Sequence, residues 1–231
     1  MKTFITQRFG FPEDQQSMVL LTDDGSGRDT PTKANILRYM AWLVQDASPG
    51  DSLFFHYSGH GSQAEDNFGL GKVTGKEDTI CPLDRDSAGD ILDQDMHDAL
   101  VKSLPAGVKL TVVFDCCHSG SALNLPFSYH HNGQPKRDLK GVHHEKSHAD
   151  VTLFSGCKDD QTSADTQFQG YGHSGALTWG FISNLKDHQE GLTYVQLLSD
   201  IRHALQQDKL TQVPQLSSGH QMDLAQTSFL I

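Results

Sequence analysis

Long hydrophobic runs are missing from this chain of 231 residues, and no stretch approaches the roughly 18 apolar residues of a membrane-spanning helix. The first residues also lack the apolar core of a secretory signal. Basic residues are scarce, since 18 Lys and Arg stand against 29 Asp and Glu, which gives a formal net charge of −11. So acidic a chain is poorly suited to a phosphate backbone and better suited to basic peptides. We therefore expect peptide or protein partners, and neither nucleic acid nor membrane.

Cysteine is also rare, and its spacing argues against two common uses. The chain has four cysteines, which follow no metal-ligand spacing and no disulfide framework. Cys116 and Cys117 are adjacent, and disulfide geometry is hard to satisfy across one peptide bond. We expect a reducing, intracellular setting, the cytoplasm first and the nucleus second.

Apolar residues make up 36% of the chain, which at this length is enough to bury one core, so we expect a single domain. The hydrophobic pattern predicts helices over residues 1–9, from Thr30–Pro31 to Pro49, and over 93–104, 176–185 and 194–205. It predicts strands over 18–22, 52–57, 108–115, 151–154 and 213–216, a polar loop over 62–77 and a polar linker over 124–149. This alternation predicts an α/β fold in which helices cover both faces of a mostly parallel sheet.

Two short motifs close two of the predicted strands. His-Tyr-Ser-Gly-His-Gly (residues 56–61) ends the strand at 52–57, and Asp-Cys-Cys-His-Ser-Gly (residues 115–120) ends the strand at 108–115. In an open parallel sheet, ligands and chemistry gather at the carboxyl ends of the strands. The two motifs therefore predict a histidine beside a thiol, the arrangement that a Cys/His peptidase needs.

Each group in the two motifs has a role that its chemistry suggests. A thiol is a useful nucleophile only as the thiolate, which a nearby histidine or helix N-terminus favours. We assign Cys117 as the nucleophile and His60, exposed between two glycines that allow a tight turn, as the general acid/base. The amides of Gly59 and Cys117 are the predicted oxyanion hole. An isolated Cys/His pair is usually structural, but the surrounding motifs favour catalysis here.

Both motifs, in this order and spacing, resemble the catalytic block of the metacaspases. The run from Phe154 to Asp165 is similar to the small-subunit signature of that family, and the ending from Gln212 to Ser217 is similar as well. The order of the blocks is similar to type I metacaspases and divides the chain into a large-subunit-like part (1–123), a linker (124–149) and a small-subunit-like part (150–231).

The resemblance implies a caspase-like fold and a cysteine endopeptidase that cleaves protein or peptide substrates after Arg or Lys. It puts the nucleophile at the second cysteine, with Cys116 packed behind it. Zymogen activation and a role in programmed cell death are further expectations from the family. The alternative is a catalytically weak or inactive relative that acts in regulation or protein quality control. Because Cys117 and His60 are both present, the enzyme is favoured.

An acid precedes the two cysteines. Asp115 ends an apolar strand, where a carboxylate is costly unless it meets a charge, and a substrate Arg or Lys would supply one. The resemblance agrees and adds Ser58 to this pocket. The alternative is a structural carboxylate held by backbone amides. In the small-subunit signature, residues that could line the substrate groove are Ser163, Ala164 and Asp165. The glycine-rich run over 170–175 is interpreted as a turn.

The resemblance also implies an activating calcium ion, which this chain matches in part. Asp78 and Asp93 stand at positions where the family has ligands, whereas Gln94 and Asn124 replace two of its acids. Amide oxygens still bind calcium, but fewer carboxylates lower the affinity. Asp95 could compensate for the lost charge. The alternative is that Asp93 only caps the helix that it precedes.

Two further expectations concern processing and the start of the chain. Polar segments with glycine and proline are where proteolysis concentrates, so we expect self-cleavage in the linker after Lys136, Arg137 or Lys140. The first predicted helix begins at Met1 without a capping residue or a preceding strand. Compared with the family pattern, an opening strand and a pocket loop are missing, so we expect poor activity, marginal stability and a tendency to associate. The alternative is a natural short form that closes the gap by rearranging or by pairing with another chain.

Overall fold

A computed structural model describes residues 1–65, 75–117, 122–129, 134–136, 146–156, 165–168, 172–187 and 191–231 of the chain. The helices are α1 (Lys2–Phe9), α2 (Lys33–Val44), α3 (Arg85–Ala88), α4 (Asp93–Leu100), α5 (Ala176–Asp187) and α6 (Tyr194–Gln207). The strands are β1 (Ser52–Ser58), β2 (Gly61–Glu65), β3 (Lys76–Ile80), β4 (Ile91–Leu92), β5 (Lys109–Asp115), β6 (Phe127–Tyr129), β7 (Pro135–Lys136), β8 (Asp150–Ser155), β9 (Asp165–Phe168), β10 (Gly172–Gly175) and β11 (Gln215–Ser218). None of the helices in these ranges combines the length and the apolar character needed to cross a bilayer.

A six-stranded sheet in the order β1-β5-β8-β11-β6-β7 organises the molecule. Strands β1, β5 and β8 run parallel, and β11, β6 and β7 add to them in antiparallel pairs. The register of the first pair joins Ser52 to Lys109 at one end and Ser58 to Asp115 at the other. Both strands therefore end at the same edge of the sheet, as the two motifs predicted.

Each face of the sheet is covered by its own set of helices, which confirms the predicted α/β class. Alternate residues of β5 point to opposite faces, so that Val113 belongs to one apolar core while Val112 and Phe114 belong to the other. Helices α1, α5 and α6 pack on the Val113 face, and α2 and α4 pack on the opposite face. Burial from both sides explains why β5 reads in the sequence as a continuous apolar run.

Two smaller sheets complete the described structure. Strands β2, β3 and β4 form an antiparallel sheet, so the loop predicted over 62–77 was wrong at both ends, and residues 66–74 lie outside the described part of the chain. Strands β9 and β10 form an antiparallel pair, and β10 occupies part of the run that was interpreted as a turn. Strands β2, β3, β9 and β10 are short and mostly polar, and they lack the apolar alternation on which the prediction relied.

Other segments also differ from their predicted bounds. Residues 18–22 form no strand, because only one isolated bridge, between Leu21 and Asp29, pairs this segment. Helix α2 begins at Lys33 rather than at Pro31, because the Thr32 hydroxyl caps it by accepting a bond from the Asn35 amide. Helix α4 ends at Leu100, four residues early.

The linker predicted over 124–149 is partly structured. Strands β6 and β7 fall within it and extend the main sheet, so this segment is part of the fold and not only a connection. Helix α1 matches its prediction and ends at Gly10, whose φ of 75° is left-handed and suits glycine. At the far side of the sheet, β1 is the edge strand among the described strands.

Candidate active site

The two motifs meet at the carboxyl edge of β1 and β5. One residue past the register pair of Ser58 and Asp115, the Gly59 amide donates to the Asp115 carbonyl oxygen at 3.4 Å. The parallel ladder therefore continues into both motifs. A hydrogen bond of this length is weak. An oxyanion at the predicted site would therefore compete with the Asp115 carbonyl oxygen for the Gly59 N–H group.

The two motifs are in close contact at Gly61, which explains why this position is a glycine. A Cβ atom at Gly61 would overlap the Cys117 carbonyl oxygen and would lie 3.3 Å from the Cys116 sulfur. Only a residue without a side chain lets the chain after His60 lie against the backbone of Cys117. His60 is exposed and Cys117 is half-buried, so both side chains reach the surface next to this contact. Cys116 is 1% exposed, which agrees with its predicted place behind the nucleophile.

Tyr57, which the sequence prediction did not use, hydrogen-bonds to the backbone of His60. The Tyr57 hydroxyl lies 2.8 Å from the His60 carbonyl oxygen and 3.1 Å from that of Cys81. Burial, together with the thiols of Cys116 and Cys81, raises the pKa of Tyr57, so the hydroxyl remains a donor. A Cβ atom at Gly59 would lie 2.8 Å from this hydroxyl oxygen. Both glycines of the motif are therefore required by close approach and not by a tight turn, since neither has a positive φ.

Cys81 is the third described cysteine near the site. Its amide donates to the His60 carbonyl oxygen at 3.0 Å, which ties β3 to the first motif. Burial, followed by the Asp90 carboxylate, raises the pKa of the Cys81 thiol. A raised pKa keeps the sulfur protonated and poorly nucleophilic. None of the three described cysteines is in a disulfide.

Asp115 lies deeper, between β5 and the start of α5. It is 3% exposed, and its Oδ2 accepts a hydrogen bond of 2.6 Å from the Thr178 amide. A Cβ atom at Gly175 would overlap all three carboxyl atoms of Asp115. The bond from the Thr178 amide is of the kind expected if Asp115 is a structural carboxylate held by backbone amides. It does not conflict with a role in substrate binding, because a carboxylate can accept several hydrogen bonds.

The remaining predicted substrate residues are Ser58 and three residues of the small-subunit signature. Ser58 is exposed at the end of β1. The backbone of Asp165 pairs with Gly175 and so lies next to the Asp115 region, although the Asp165 side chain lies outside the described part. Ser163 and Ala164 also lie outside the described residues.

Three of the four predicted calcium residues meet. The Oδ2 of Asp93 accepts from the Asp78 amide, and its Oδ1 accepts from the Asn124 side-chain amide, both at 3.1 Å. The side-chain NH2 group of Gln94 donates to Asp98 on its own helix, and a place for Gln94 in the cluster stays a prediction. The capping alternative for Asp93 was wrong, because α4 begins with Leu92 as its N-cap and without a side-chain cap bond.

The oxygen-rich chemistry of Asp78, Asp93 and Asn124 suits calcium. The Asp93 carboxylate accepts bonds from the backbone amide of Asp78 and from the side-chain NH2 group of Asn124, while the Asp78 carboxylate accepts from the Gln63 side chain. Within the described ranges, no three His, Cys, Asp or Glu side chains are grouped as a metal site. Both Asp93 oxygens accept hydrogen bonds here, so a cation that takes six to eight oxygen ligands would have to displace these donors.

Of the predicted self-cleavage positions, only one lies in the described structure. Lys136 is the last residue of β7, where it pairs with Ser128 of β6. Arg137 and Lys140 lie outside the described residues.

A thiol and an imidazole at the ends of adjacent parallel strands of a helix-covered sheet define the caspase-like class of α/β proteins. The family model described as "Metacaspase, peptidase C14 domain" matches residues 1–126, which contain both motifs. The chain belongs to the metacaspase family.

Individual relatives agree with this family. The chain is 43% identical to Metacaspase-1A of Aspergillus oryzae over an alignment 264 positions long, gaps included, which covers 95% of this chain and 62% of that protein. It is 40% identical to Metacaspase-1 of Schizosaccharomyces pombe over 97% of this chain and 62% of that protein. Metacaspase-1 of Ajellomyces capsulatus is 42% identical, and 73% of its length is covered. The chain thus spans 62% of the length of the first two relatives.

A solved structure supports the fold alone. The crystal structure of protein GSU0716 from Geobacter sulfurreducens is similar with a TM-score of 0.61 at 21% identity, covering 87% of this chain and 78% of that one. At so low an identity, the similarity concerns the arrangement of strands and helices and not the activity.

Proposed function

We propose that this metacaspase is a cysteine endopeptidase in which Cys117 attacks the peptide carbonyl and His60 carries the proton. The observation that supports this most strongly is the contact of Gly61 with the Cys117 backbone, which brings the two motifs together at the surface. Membership of a peptidase family supports the same chemistry.

The reaction follows from these two groups. Cys117 gives its proton to His60, and the thiolate forms a bond to the carbonyl carbon while the carbonyl electrons move to oxygen. The amides of Gly59 and Cys117 stabilise that oxygen. The imidazolium protonates the leaving amine as the peptide bond breaks, and a thioester to Cys117 remains. Water, deprotonated by His60, then releases the acid and restores the thiol.

We assign the preference for Arg or Lys to Asp115. Its carboxylate is buried at the edge of the sheet, two residues before the nucleophile, where a substrate cation would find an opposite charge in a medium of low dielectric constant. Ser58, exposed at the register position of Asp115, would line the same pocket. The groove would be completed by residues of the small-subunit signature.

A pair of fluorogenic peptides tests the proposal. The chain should cleave a peptide that ends in Arg and leave the matched peptide that ends in Asp intact, because Asp115 repels a carboxylate. A Cys117→Ala variant should lose the activity, while Cys116→Ala should keep most of it. Preference for Asp, or equal loss in both variants with the fold intact, would contradict the assignment. A folded chain that cleaves neither peptide would favour the alternative of a regulatory or quality-control module.

Calcium activation is a second part of the proposal. Asp78, Asp93 and Asn124 could become ligands only after the Asn124 amide turns its oxygen toward the ion. Titrating calcium against tryptophan fluorescence and against turnover tests this. We expect weak binding in the natural chain and tighter binding in Asn124→Asp, because a third carboxylate adds ligand charge. Identical titration curves for both chains would exclude Asn124 from the site.

Self-processing is a third part. Cleavage after Lys136, Arg137 or Lys140 would separate the large-subunit-like and small-subunit-like parts while the main sheet keeps them associated. Mass mapping of the wild-type chain after incubation should find these cuts, and Cys117→Ala should remain whole. A wild-type chain that stays intact while it cleaves peptides would exclude self-processing.

A further inference from the structure

The space for the Asp115 carboxylate exists only because residue 175 is glycine. A Cβ atom there would overlap the carboxyl carbon and both carboxyl oxygens of Asp115. Gly175 has no positive φ, so alanine could adopt its backbone conformation. The glycine therefore provides room for one side chain and not a special turn.

The carboxylate is also held by a directed bond. The Thr178 amide, at the third residue of α5, donates to Oδ2 at 2.6 Å. This amide is among the first N–H groups of the helix, which have no partner within the helix. The positive end of the helix dipole stabilises the carboxylate further. One oxygen of Asp115 is thus fixed by backbone that a side-chain substitution cannot remove.

Thr178, which donates its amide to Asp115, is itself held by a hydrogen bond to His56. The Thr178 hydroxyl lies 3.0 Å from Nε2 of His56, the first histidine of the first motif. His56 is two residues before Ser58 on β1, the strand adjacent to the one that Asp115 ends. The contact fastens the start of α5 to β1, just beneath the exposed end of that strand.

The charge state of His56 matters for this arrangement. Burial lowers the pKa of His56 to about 3, so the imidazole is neutral at physiological pH. A charged imidazole near Asp115 would compete with a substrate cation for the carboxylate. A neutral ring can hold Thr178 in place without adding a positive charge near Asp115.

We propose that Gly175, Thr178 and His56 are positioning residues that fix the Asp115 carboxylate for the side chain of a substrate Arg or Lys. The proposal rests on the proposed function, because it concerns the specificity of the same site. None of the three residues has to touch the reacting atoms, so their substitution should weaken recognition of the cation and leave the nucleophile intact.

Gly175→Ala is the most direct variant, and Gly180→Ala, in the helix α5 that follows Gly175, is its matched control. A Cβ atom at Gly180 would meet the side-chain ends of Leu205 and Ile201, at 2.9 and 3.0 Å, and no atom of Asp115. Thr178→Val removes the hydroxyl and keeps the amide, whereas Thr178→Ser keeps both. His56→Gln retains a neutral polar side chain.

Turnover of Arg and Lys peptides by the full chain gives the first readout. We expect Gly175→Ala to lower kcat/KM about ten- to a hundredfold, mainly through KM, because one charge-assisted contact is displaced. Thr178→Val and His56→Gln should show a smaller loss of the same kind, and Thr178→Ser should restore the natural value. Alkylation of Cys117 by iodoacetamide should be unchanged. Gly175→Ala that behaves as Gly180→Ala, with both chains folded, would overturn the proposal.

A binding measurement separates this proposal from the proposed function. In a Cys117→Ala background, the affinity for an uncleaved Arg peptide should fall when Gly175→Ala is added and should be unaffected by Gly180→Ala. If the wild-type chain binds this peptide and cleaves nothing, the endopeptidase function fails while the positioning role stands. If the Cys117→Ala chain binds the Arg peptide no better than its Ala-ending counterpart, the positioning proposal is overturned.

Discussion

At the scale of single residues, the site depends on places where a side chain is absent. Gly61 makes room for the Cys117 carbonyl, Gly59 for the Tyr57 hydroxyl and Gly175 for the Asp115 carboxylate. The sequence predicted the first two glycines as parts of a motif but assigned them the wrong physical reason. It offered no signal for Gly175, because that residue is 60 positions from Asp115 and only the folded chain brings them together.

Gly61→Ala tests the contact between the motifs. The new methyl group would overlap the Cys117 carbonyl oxygen, so one of the two backbones must move. We expect a loss of about 1–3 kcal/mol in the free energy of unfolding and a fall of at least about tenfold in peptide turnover. Turnover with fluorogenic Arg peptide and thermal unfolding measure the two effects.

Gly25→Ala is the control for that variant. Gly25 has a φ of +76° and no atom within 4 Å of a Cβ position, so alanine there strains the backbone without a collision. It should cost about 1 kcal/mol of stability and leave turnover unchanged. Full turnover by Gly61→Ala would show that the two motifs tolerate a wider separation than the contact implies.

At the scale of elements, apolar strands and amphipathic helices were predictable and polar strands were not. Strands β1, β5 and β8 are apolar runs, which is why the sequence identified them, although only β5 and β8 lie inside the described sheet and β1 lies at its edge. Strands β2 and β3 are polar and, among the described strands, pair with each other and with β4, so they resembled a loop. The apolar segment at 18–22 failed as a strand because no described strand pairs with it beyond one bridge.

His56 on β1 should make the stability of the fold depend on pH. The pKa of His56 is about 3 in the folded chain and near 6.5 in the unfolded chain, so the unfolded chain binds more protons between these pH values. Stability contributed by neutral His56 is therefore lost as the pH falls from about 6.5 toward 3. We expect His56→Gln to lose less stability than wild type between pH 7 and pH 4, as measured by denaturant unfolding. Parallel pH profiles for the two chains would show that His56 is not held neutral.

At the scale of the whole molecule, the charge is the main feature that acts at a distance. With a net charge of −11, the chain attracts cationic peptides before they reach Asp115. The Debye length falls from about 10 Å at 0.1 M salt to 3 Å at 1 M, so this attraction is screened by salt. We expect kcat/KM for a peptide with several basic residues to fall over this range more steeply than for one with a single Arg. Equal salt dependence for the two peptides would exclude a contribution from the overall charge.

The central claim is that Cys117, next to His60, is the nucleophile of a site that selects Arg. Its most direct test is mass mapping after exposure to an Arg-ending peptidyl fluoromethyl ketone, which alkylates an activated thiol. We predict one adduct on Cys117, formed much more slowly in His60→Ala and absent with the matched Asp-ending reagent. An adduct on Cys81 or Cys116 instead, or equal labelling by both reagents, would contradict the claim.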